Sequence, residues 1–558
     1  MSSRFVVLLL SLALATGALG TSAPASASQE VYEVHHVRTV DGAVVRLEVW
    51  RDASYDAEKQ PVILTYSPYN SLSEPETARD SLGEKLVPEG YARAVADVLG
   101  TRGSTGCWDY GGPKEQQSGV DVVKYLARLP WSNGRVAMTG GSYNGTTATM
   151  VAARGKAVPE LKAIVPIAAI SRWYGYAYGN GVRYFLNSEK PTDEGFDTPL
   201  AFDAGFAKTV AADPMGEHFA DTVRSRAAEC GAVEHNQEAY DRNPDYDGFW
   251  LRRDYRKDAR RVRAAVLLAH GWRDYNVKQE EATELFRRLR VDRPRTRRVE
   301  GVPFKLMYLT QGSHSGGTDG AQWERLLERF LAHTLKGERN GIRKEGPVIT
   351  QGGSSNGPTR FRTARDYPLP ATSPTRLWLR GAGVGTSGHL AVRPERRPRV
   401  ASYVEAGGST EELPLGSGLT YLSRPLARPT RVVGSAVLDA WVRVSNQTMH
   451  LTPVLVDVAP DGSRRTISRG FQHVDYRNGL READPVTDRW LRVHARLLPQ
   501  DYTLARGHRI GLWVQSSNTV WAVPGNPGEV DVAQGRVGPR VTGSRLLLPT
   551  IGRRATWQ

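Results

Sequence analysis

Apolar and polar positions between residues 28 and about 170 follow two rhythms. Glu30 to His36 and Ala43 to Trp50 alternate apolar and polar side chains, the pattern of strands with one face in water. Pro61 to Tyr66 and Ala92 to Asp97 are apolar nearly throughout and read as inner strands. Asp121 to Leu129 repeats apolar residues at helical spacing and stops at Pro130. Val136 to Thr139 and Leu161 to Ile170 add two more buried strands. From Ser171 to about Arg261 the strand signal vanishes. Aromatic, charged and helix-forming residues mix there, as in Asp203 to Ala228 and Glu238 to Asp258, and predict a helical insertion. Strands return at Ala264 to His270 and Phe304 to Leu309, with a helix near Lys278 to Leu289 between them. Gln322 to Leu335 is amphipathic and ends at Gly337. Beyond Gly346 short strands alternate with Gly/Pro turns, at Thr375 to Leu379, Val432 to Val444, Leu451 to Val458, Trp490 to Leu497 and His508 to Val514.

The predicted class is therefore α/β: a domain with a mostly parallel sheet, followed by an all-β jelly-roll domain. The expected division is a leader at 1–27, the α/β domain at 28–170 and 263–345, a helical cap at 171–262, and a jelly-roll β-sandwich at 346–558.

Composition narrows this picture modestly. A chain of 558 residues with 40% hydrophobic and 24% charged residues is an ordinary globular protein. The net charge of +15 comes from scattered Lys and Arg, with small clusters at Arg252-Arg253 and Arg396-Arg397. No basic stripe interleaved with aromatics appears, so the charge reads as solvated surface and no nucleic-acid partner is expected. Arg4, the apolar run Phe5 to Leu14 and the small residues Ala25-Ser-Ala27 read as a secretory leader with cleavage expected after Ala27, a retained N-terminal anchor being the alternative. No later stretch approaches 18 apolar residues, so stable membrane insertion is not expected. The two cysteines, Cys107 and Cys230, form no C-x-x-C pair. In an exported chain they are candidates for one disulfide, not for structural zinc.

The chemistry centres on Arg135-Val-Ala-Met-Thr-Gly-Gly-Ser-Tyr-Asn-Gly-Thr146. A strand, a glycine turn, Ser142 and a helix starting near Gly145 make the layout of a nucleophile elbow. On its own, a serine N-cap in a glycine-rich turn would look the same. Strand order separates the two readings. An elbow on a sheet of this kind predicts an α/β-hydrolase domain, in which the acid follows the strand after the insert and the histidine follows the next strand. Asp274 in Ala269-His-Gly-Trp-Arg-Asp-Tyr-Asn-Val277 and His314 in Thr310-Gln-Gly-Ser-His-Ser-Gly-Gly317 stand at those places. Of twelve histidines, His314 alone meets strand order and loop context together. His314 would take the serine proton, Asp274 would orient the imidazole, and the Tyr143 backbone N–H would donate to the oxyanion. No H-E-x-x-H or clustered ligand set appears, and this chemistry needs no cofactor or metal.

Gly140-Gly-Ser-Tyr-Asn-Gly145 departs from G-x-S-x-G because its last glycine comes one residue late. In this it resembles the G-x-S-Y-x-G elbow of the X-prolyl dipeptidyl-peptidase and cocaine-esterase family. His270-Gly-Trp-Arg-Asp-Tyr-Asn-Val277 is similar to that family's H-G-x-x-D-x-N-V segment. Asp97-Val-Leu-Gly-Thr-Arg-Gly-Ser-Thr-Gly106 is similar to its D-x-R-G-x-x-x-S-x-G loop, with Leu99 where arginine is usual. The resemblance covers essentially the whole chain after the leader, cap and jelly roll included. It implies that Tyr69, in Ser67-Pro68-Tyr69, supplies the second oxyanion donor. Trp108 either lines the acyl pocket or simply packs.

The family comprises X-Pro dipeptidyl-peptidases, esterases and α-amino acid ester hydrolases. The last group resembles this chain but carries acids just past the catalytic aspartate, where Tyr275, Asn276 and Val277 stand here. The resemblance thus points to release of X-Pro dipeptides from peptide N-termini. Ester hydrolysis is the enzymatic alternative, and a decayed hydrolase that binds a surface or carbohydrate is the non-enzymatic one. A dipeptidyl-peptidase must hold a free amino group, and the cap acids Asp193, Glu194 and Asp197 are candidates for that contact. The expected partner is a peptide or small ester substrate, and oligomeric state is left open.

Overall fold

The computed structural model describes residues 28–70, 76–184, 230, 244–290, 304–370, 372–408, 417–552 and 555–557. Ten strands form the first sheet: β1 (Glu30–Arg38), β2 (Val44–Asp52), β3 (Gln60–Ser67), β4 (Ala92–Asp97), β5 (Ser132–Gly141), β6 (Leu161–Ile167), β7 (Ala265–Gly271), β8 (Lys305–Thr310), β9 (Val348–Gln351) and β10 (Phe361–Ala364). Their spatial order is β1-β2-β4-β3-β5-β6-β7-β8-β9-β10. The strands from β4 to β9 run parallel, and β1, β2 and β10 are antiparallel additions at the edges.

Strands β3, β4, β7 and β8 are buried along their whole length because both faces are covered. In β3, Val62, Leu64 and Tyr66 enter one core and Ile63 the other. In β7, Val266 and Leu268 divide from Ala265, Leu267 and Ala269 in the same way. Helices α1 (Pro113–Ala127), α2 (Tyr143–Ala152) and α3 (Glu280–Arg288) pack on the first face. Helix α4 (Ala321–Leu331) covers the second with Trp323, Leu326 and Phe330.

The periodicity placed the helix before β5 at 121–129, but α1 begins eight residues earlier, at Pro113. Its first turns bury Glu115, Gln116 and Ser118, so the buried face is polar there and hydropathy cannot reveal it. Helix α2 likewise starts at Tyr143, not Gly145. Of the predicted helical cap, Asp193, Glu194 and Asp197 lie outside the described residues, as does most of 185–243. The described cap residues form short helices at Trp173–Ala177 and Gly248–Arg252, a 3-10 segment at Tyr255–Arg261 and a two-residue hairpin.

Among the described residues the C-terminal region is β-rich, with a fourteen-stranded hydrogen-bonded sheet around a main apolar core and a separate short pair, His450–Leu451 with Gln472–His473. Strands such as Leu491–Arg496 bury every second residue, as the alternation in sequence requires. The stretch Val432 to Val444 is two strands, Thr430–Gly434 and Val437–Val444, which share Arg545–Ile551 as a partner but pair on their other edges with Gln500–Leu504 and Leu491–Arg496 respectively. The first sheet also runs past residue 345. β9 and β10 complete it, while Gly353–Ser354 between them pairs with Gln500–Leu504 of the β domain. The two regions are therefore interlaced. Trp272 joins them, donating to Thr350 at 3.2 Å, and Thr350 donates to the buried Asp501 at 3.0 Å. Asp501 is held by Arg431 through bonds of 2.8 and 2.6 Å. Among the described residues no helix is long and apolar enough to cross a membrane.

Candidate active site

Four strand ends converge on one side of the sheet, next to the point where strand order reverses between β3 and β5. That is where open α/β sheets bind ligands. Ser142 follows β5 with φ 56° and ψ −123°, a backbone state that costs a non-glycine residue about 1–3 kcal/mol. The state is enforced from both sides. The Ser142 N–H donates to Ile167 O at 2.9 Å, and Ser142 O accepts from Gly145 N and Thr146 N at 3.1 and 3.0 Å. The flanking glycines are not equivalent. A Cβ on Gly140 would lie 2.3 Å from Asn144 Cβ, and one on Gly145 would lie 2.7 Å from Gly140 O. A Cβ on Gly141 would meet nothing within 4 Å. The displaced glycine at 145 is thus a packing requirement of this elbow.

Asp274 follows β7 and is wholly buried. Its Oδ1 accepts from the backbone N–H groups of Asn276 and Val277, both at 3.0 Å. Its Oδ2 lies 2.9 Å from His314 Nδ1 and 3.3 Å from His270 Nε2. Burial alone would raise this carboxyl, but the hydrogen bonds and charge of the two histidines outweigh it and hold it at about 2. Asp274 is therefore an ionised acceptor, so the His314 Nδ1 carries a proton toward it. In the neutral ring this leaves Nε2 as the base. The His314 loop is closed by Thr310, whose hydroxyl donates to Gly316 O and accepts from Gly312 N, each at 2.9 Å. A Cβ on Gly316 would lie 3.0 Å from Ile167 Cγ2, so the loop rests on the residue that also anchors Ser142. No Ser142–His314 hydrogen bond forms among the described residues; catalytic bonds are commonly long before substrate binds.

Tyr69 occupies the mouth of the site. Its hydroxyl donates to Ser142 Oγ at 3.4 Å and accepts from the Tyr143 N–H at 3.3 Å. The residue is 39% exposed, but its hydroxyl end is enclosed, and burial pushes the phenol up, so it stays protonated. The loop behind it is tied to the sheet. Asn70 donates to the buried Asp97 at 2.6 Å, and Ser104 Oγ donates to Asp97 O at 2.8 Å. With Leu99 in place of the usual arginine, Arg102 places a cation 3.6 Å from Asp97 and 2.9 Å from Glu48.

The structure thus brings Ser142, Tyr69 and Tyr143 into contact and pairs Asp274 with His314. Trp108 lies behind them, buried. Its indole N–H donates to the Tyr143 hydroxyl at 2.8 Å, and its ring stacks on Tyr110. Cys107 and Cys230 are bridged, with their Cα atoms 5.5 Å apart. Among the described residues no cluster of three or more His, Cys, Asp or Glu side chains could hold a metal ion.

Residues 41–316 match the model of the X-Pro dipeptidyl-peptidase S15 family, and residues 340–540 match the model of that family's C-terminal non-catalytic domain. The chain belongs to this family of serine hydrolases. A Bacillus cereus protein provisionally named an Xaa-Pro dipeptidyl-peptidase is 28% identical over 523 residues, 85% of this chain and 82% of that one. The Xaa-Pro dipeptidyl-peptidase of Lacticaseibacillus casei is also 28% identical, over 49% of this chain and 34% of its own length. Among solved structures, a CocE/NonD family hydrolase from Staphylococcus aureus superposes with a TM-score of 0.73 at 18% identity, covering 94% of both chains. That likeness concerns the fold.

Three residues of this hydrolase's site escaped sequence reasoning. His270 is buried beside Asp274, and its Nε2 lies 2.9 Å from Val277 O, so that nitrogen carries the proton. Its place four residues before the acid was the available signal. Tyr176, in the described part of the cap, donates to the Asn276 side chain at 3.0 Å and packs edge-on against Trp173. Glu115 lies under Tyr143, on the part of α1 that periodicity missed.

Proposed function

We propose that this hydrolase cleaves Xaa-Pro dipeptides from peptide N-termini through an acyl-enzyme formed on Ser142. The observation that carries the mechanism is the Tyr69 hydroxyl, shared between Ser142 Oγ and the Tyr143 N–H, because it marks where a tetrahedral oxyanion would sit. Ser142 attacks the carbonyl carbon while His314 Nε2 takes its proton. Tyr69 and the Tyr143 N–H receive the charge growing on the carbonyl oxygen. His314 then protonates the leaving amine, and water repeats the sequence to free the acid. Asp274 keeps the imidazole in the competent tautomer and stabilises its charged form. The dipeptidyl specificity draws its support from the family and from the relative matched over most of both chains. The basic start and apolar run before Ala27 support export, with the mature chain beginning at Ser28.

The decisive assay compares glycyl-prolyl anilide with short-chain aryl esters. Cleavage of the anilide is expected, with all turnover lost in Ser142→Ala. Ester turnover without anilide cleavage would replace the peptidase reading with an esterase one. N-terminal sequencing of protein from the medium tests export.

A further inference from the structure

Tyr143 contributes more than its backbone. The side chain is fully buried, and its ring is the surface on which both oxyanion donors rest. The N–H is its own, and the ring of Tyr69 meets it edge-on at 6.3 Å. What holds this ring is its far end. The Tyr143 hydroxyl donates to the Glu115 carboxyl, 2.9 and 2.8 Å from its two oxygens, and accepts from the Trp108 indole N–H at 2.8 Å. Glu115 is fully buried and is itself held by the Gly111 N–H at 2.8 Å. Gly111 O accepts from Tyr255 at 2.6 Å, and Tyr255 accepts from Trp173, whose ring packs against Tyr143 at 5.4 Å. The arrangement closes on itself around one tyrosine.

We propose that Glu115 is a positioning residue for the oxyanion site, anchoring the Tyr143 hydroxyl so that the Tyr143 N–H and Tyr69 point at one place. The inference rests on the reading of Ser142, Tyr69 and Tyr143 given above. Glu115 contacts neither nucleophile nor base, so it acts only through Tyr143. Burial raises its carboxyl to about 8 despite the bonds from Gly111 and Tyr143, with nearby Asp109 adding to the rise and Arg253 opposing it. A buried acid is costly, and an apolar side chain of similar size would pack there more cheaply. What the apolar side chain lacks is an acceptor for the Tyr143 proton. The carboxyl offers one in either protonation state, and so does a glutamine amide.

The acceptor is therefore the property to vary. Glu115→Gln, Glu115→Leu and Tyr143→Phe are compared by kcat and KM per titrated active site, with circular dichroism to confirm folding. Glu115→Gln is expected to keep kcat within about threefold. Glu115→Leu is expected to lose about 10- to 100-fold in kcat with KM within twofold, a fraction of the roughly 10²–10³ for deleting an oxyanion donor. Tyr143→Phe should match Glu115→Leu, and the double variant should lose little more. If Glu115→Leu does not fold, Tyr143→Phe carries the test. Wild-type kcat in the folded Leu or Phe variant, or a loss confined to KM, overturns the proposal. Ser142→Ala separates the two levels. Full turnover there overturns the site reading and this inference together, whereas an inert Ser142→Ala beside a fully active Glu115→Leu overturns this inference alone.

Discussion

A phenol and a backbone amide meet at the mouth of this site. Tyr69 presents one hydroxyl that both donates to Ser142 and accepts from Tyr143, and burial, which pushes the phenol above its ordinary value, keeps the proton on it at neutral pH. Tyr69→Phe keeps the ring and removes the hydroxyl, both the donor to Ser142 and the acceptor for the Tyr143 N–H. It should lower kcat about 10²–10³-fold, or about 3–4 kcal/mol, with KM changed less than threefold. Steady-state kinetics on the best anilide or ester check this, and a loss in KM alone would move Tyr69 from oxyanion donor to substrate contact. Ser142, Asp274 and His314 were legible as a set and not singly, because each stands in the loop after a strand and only their common chain order distinguishes them from other serines, acids and histidines. Tyr69 was legible only through the family's P-Y segment. Nothing around Glu115 marks it in the sequence, since its role depends on a hydroxyl 28 positions away.

The elbow shows how an element can be read almost correctly. Three of its positions are glycine, and the sequence alone treats Gly140 and Gly141 alike. The close approach of α2 to β5 separates them, because a Cβ at 140 or 145 strikes backbone or Cβ atoms at under 3 Å while one at 141 meets open space. Gly145→Ala should destabilise the fold by about 1–3 kcal/mol and disturb Ser142, and Gly141→Ala should stay within about 0.5 kcal/mol. Urea denaturation of the two variants measures both, and equal stability would mean that β5 and α2 can separate freely. The misplaced start of α1 has a related origin. Helical periodicity reports apolar burial, and this helix buries a glutamate, a glutamine and a serine in its first turns.

At the scale of the molecule, long-range closure matters most. The bridge between Cys107 and Cys230 spans 123 residues and ties the loop bearing Trp108, and so the back of Tyr143, to the insertion. By the chain-entropy model a loop of that length adds about 4–5 kcal/mol, with measured values commonly about 2–4. The Cys107→Ser, Cys230→Ser double variant should be less stable by about 2–4 kcal/mol and melt correspondingly lower. Reductant should depress the wild-type Tm to the same level and leave the variant unchanged; a wild-type Tm insensitive to reductant would contradict this. The succession of strands along the chain, the α/β class, the β-rich C-terminal region and the Ser-Asp-His series were readable because they follow from side-chain periodicity and from position along the chain, both local properties. Packing assigned the rest. It gave β9 and β10 to the first sheet, set Trp108 behind Tyr143 instead of leaving its role open, and put Tyr275 against Trp521 of the β domain. It also buried Glu115 where its acidity and partners are set by residues from three separate segments. Such contacts join positions far apart in the chain, and burial changes what each group can do, so no window of sequence contains them.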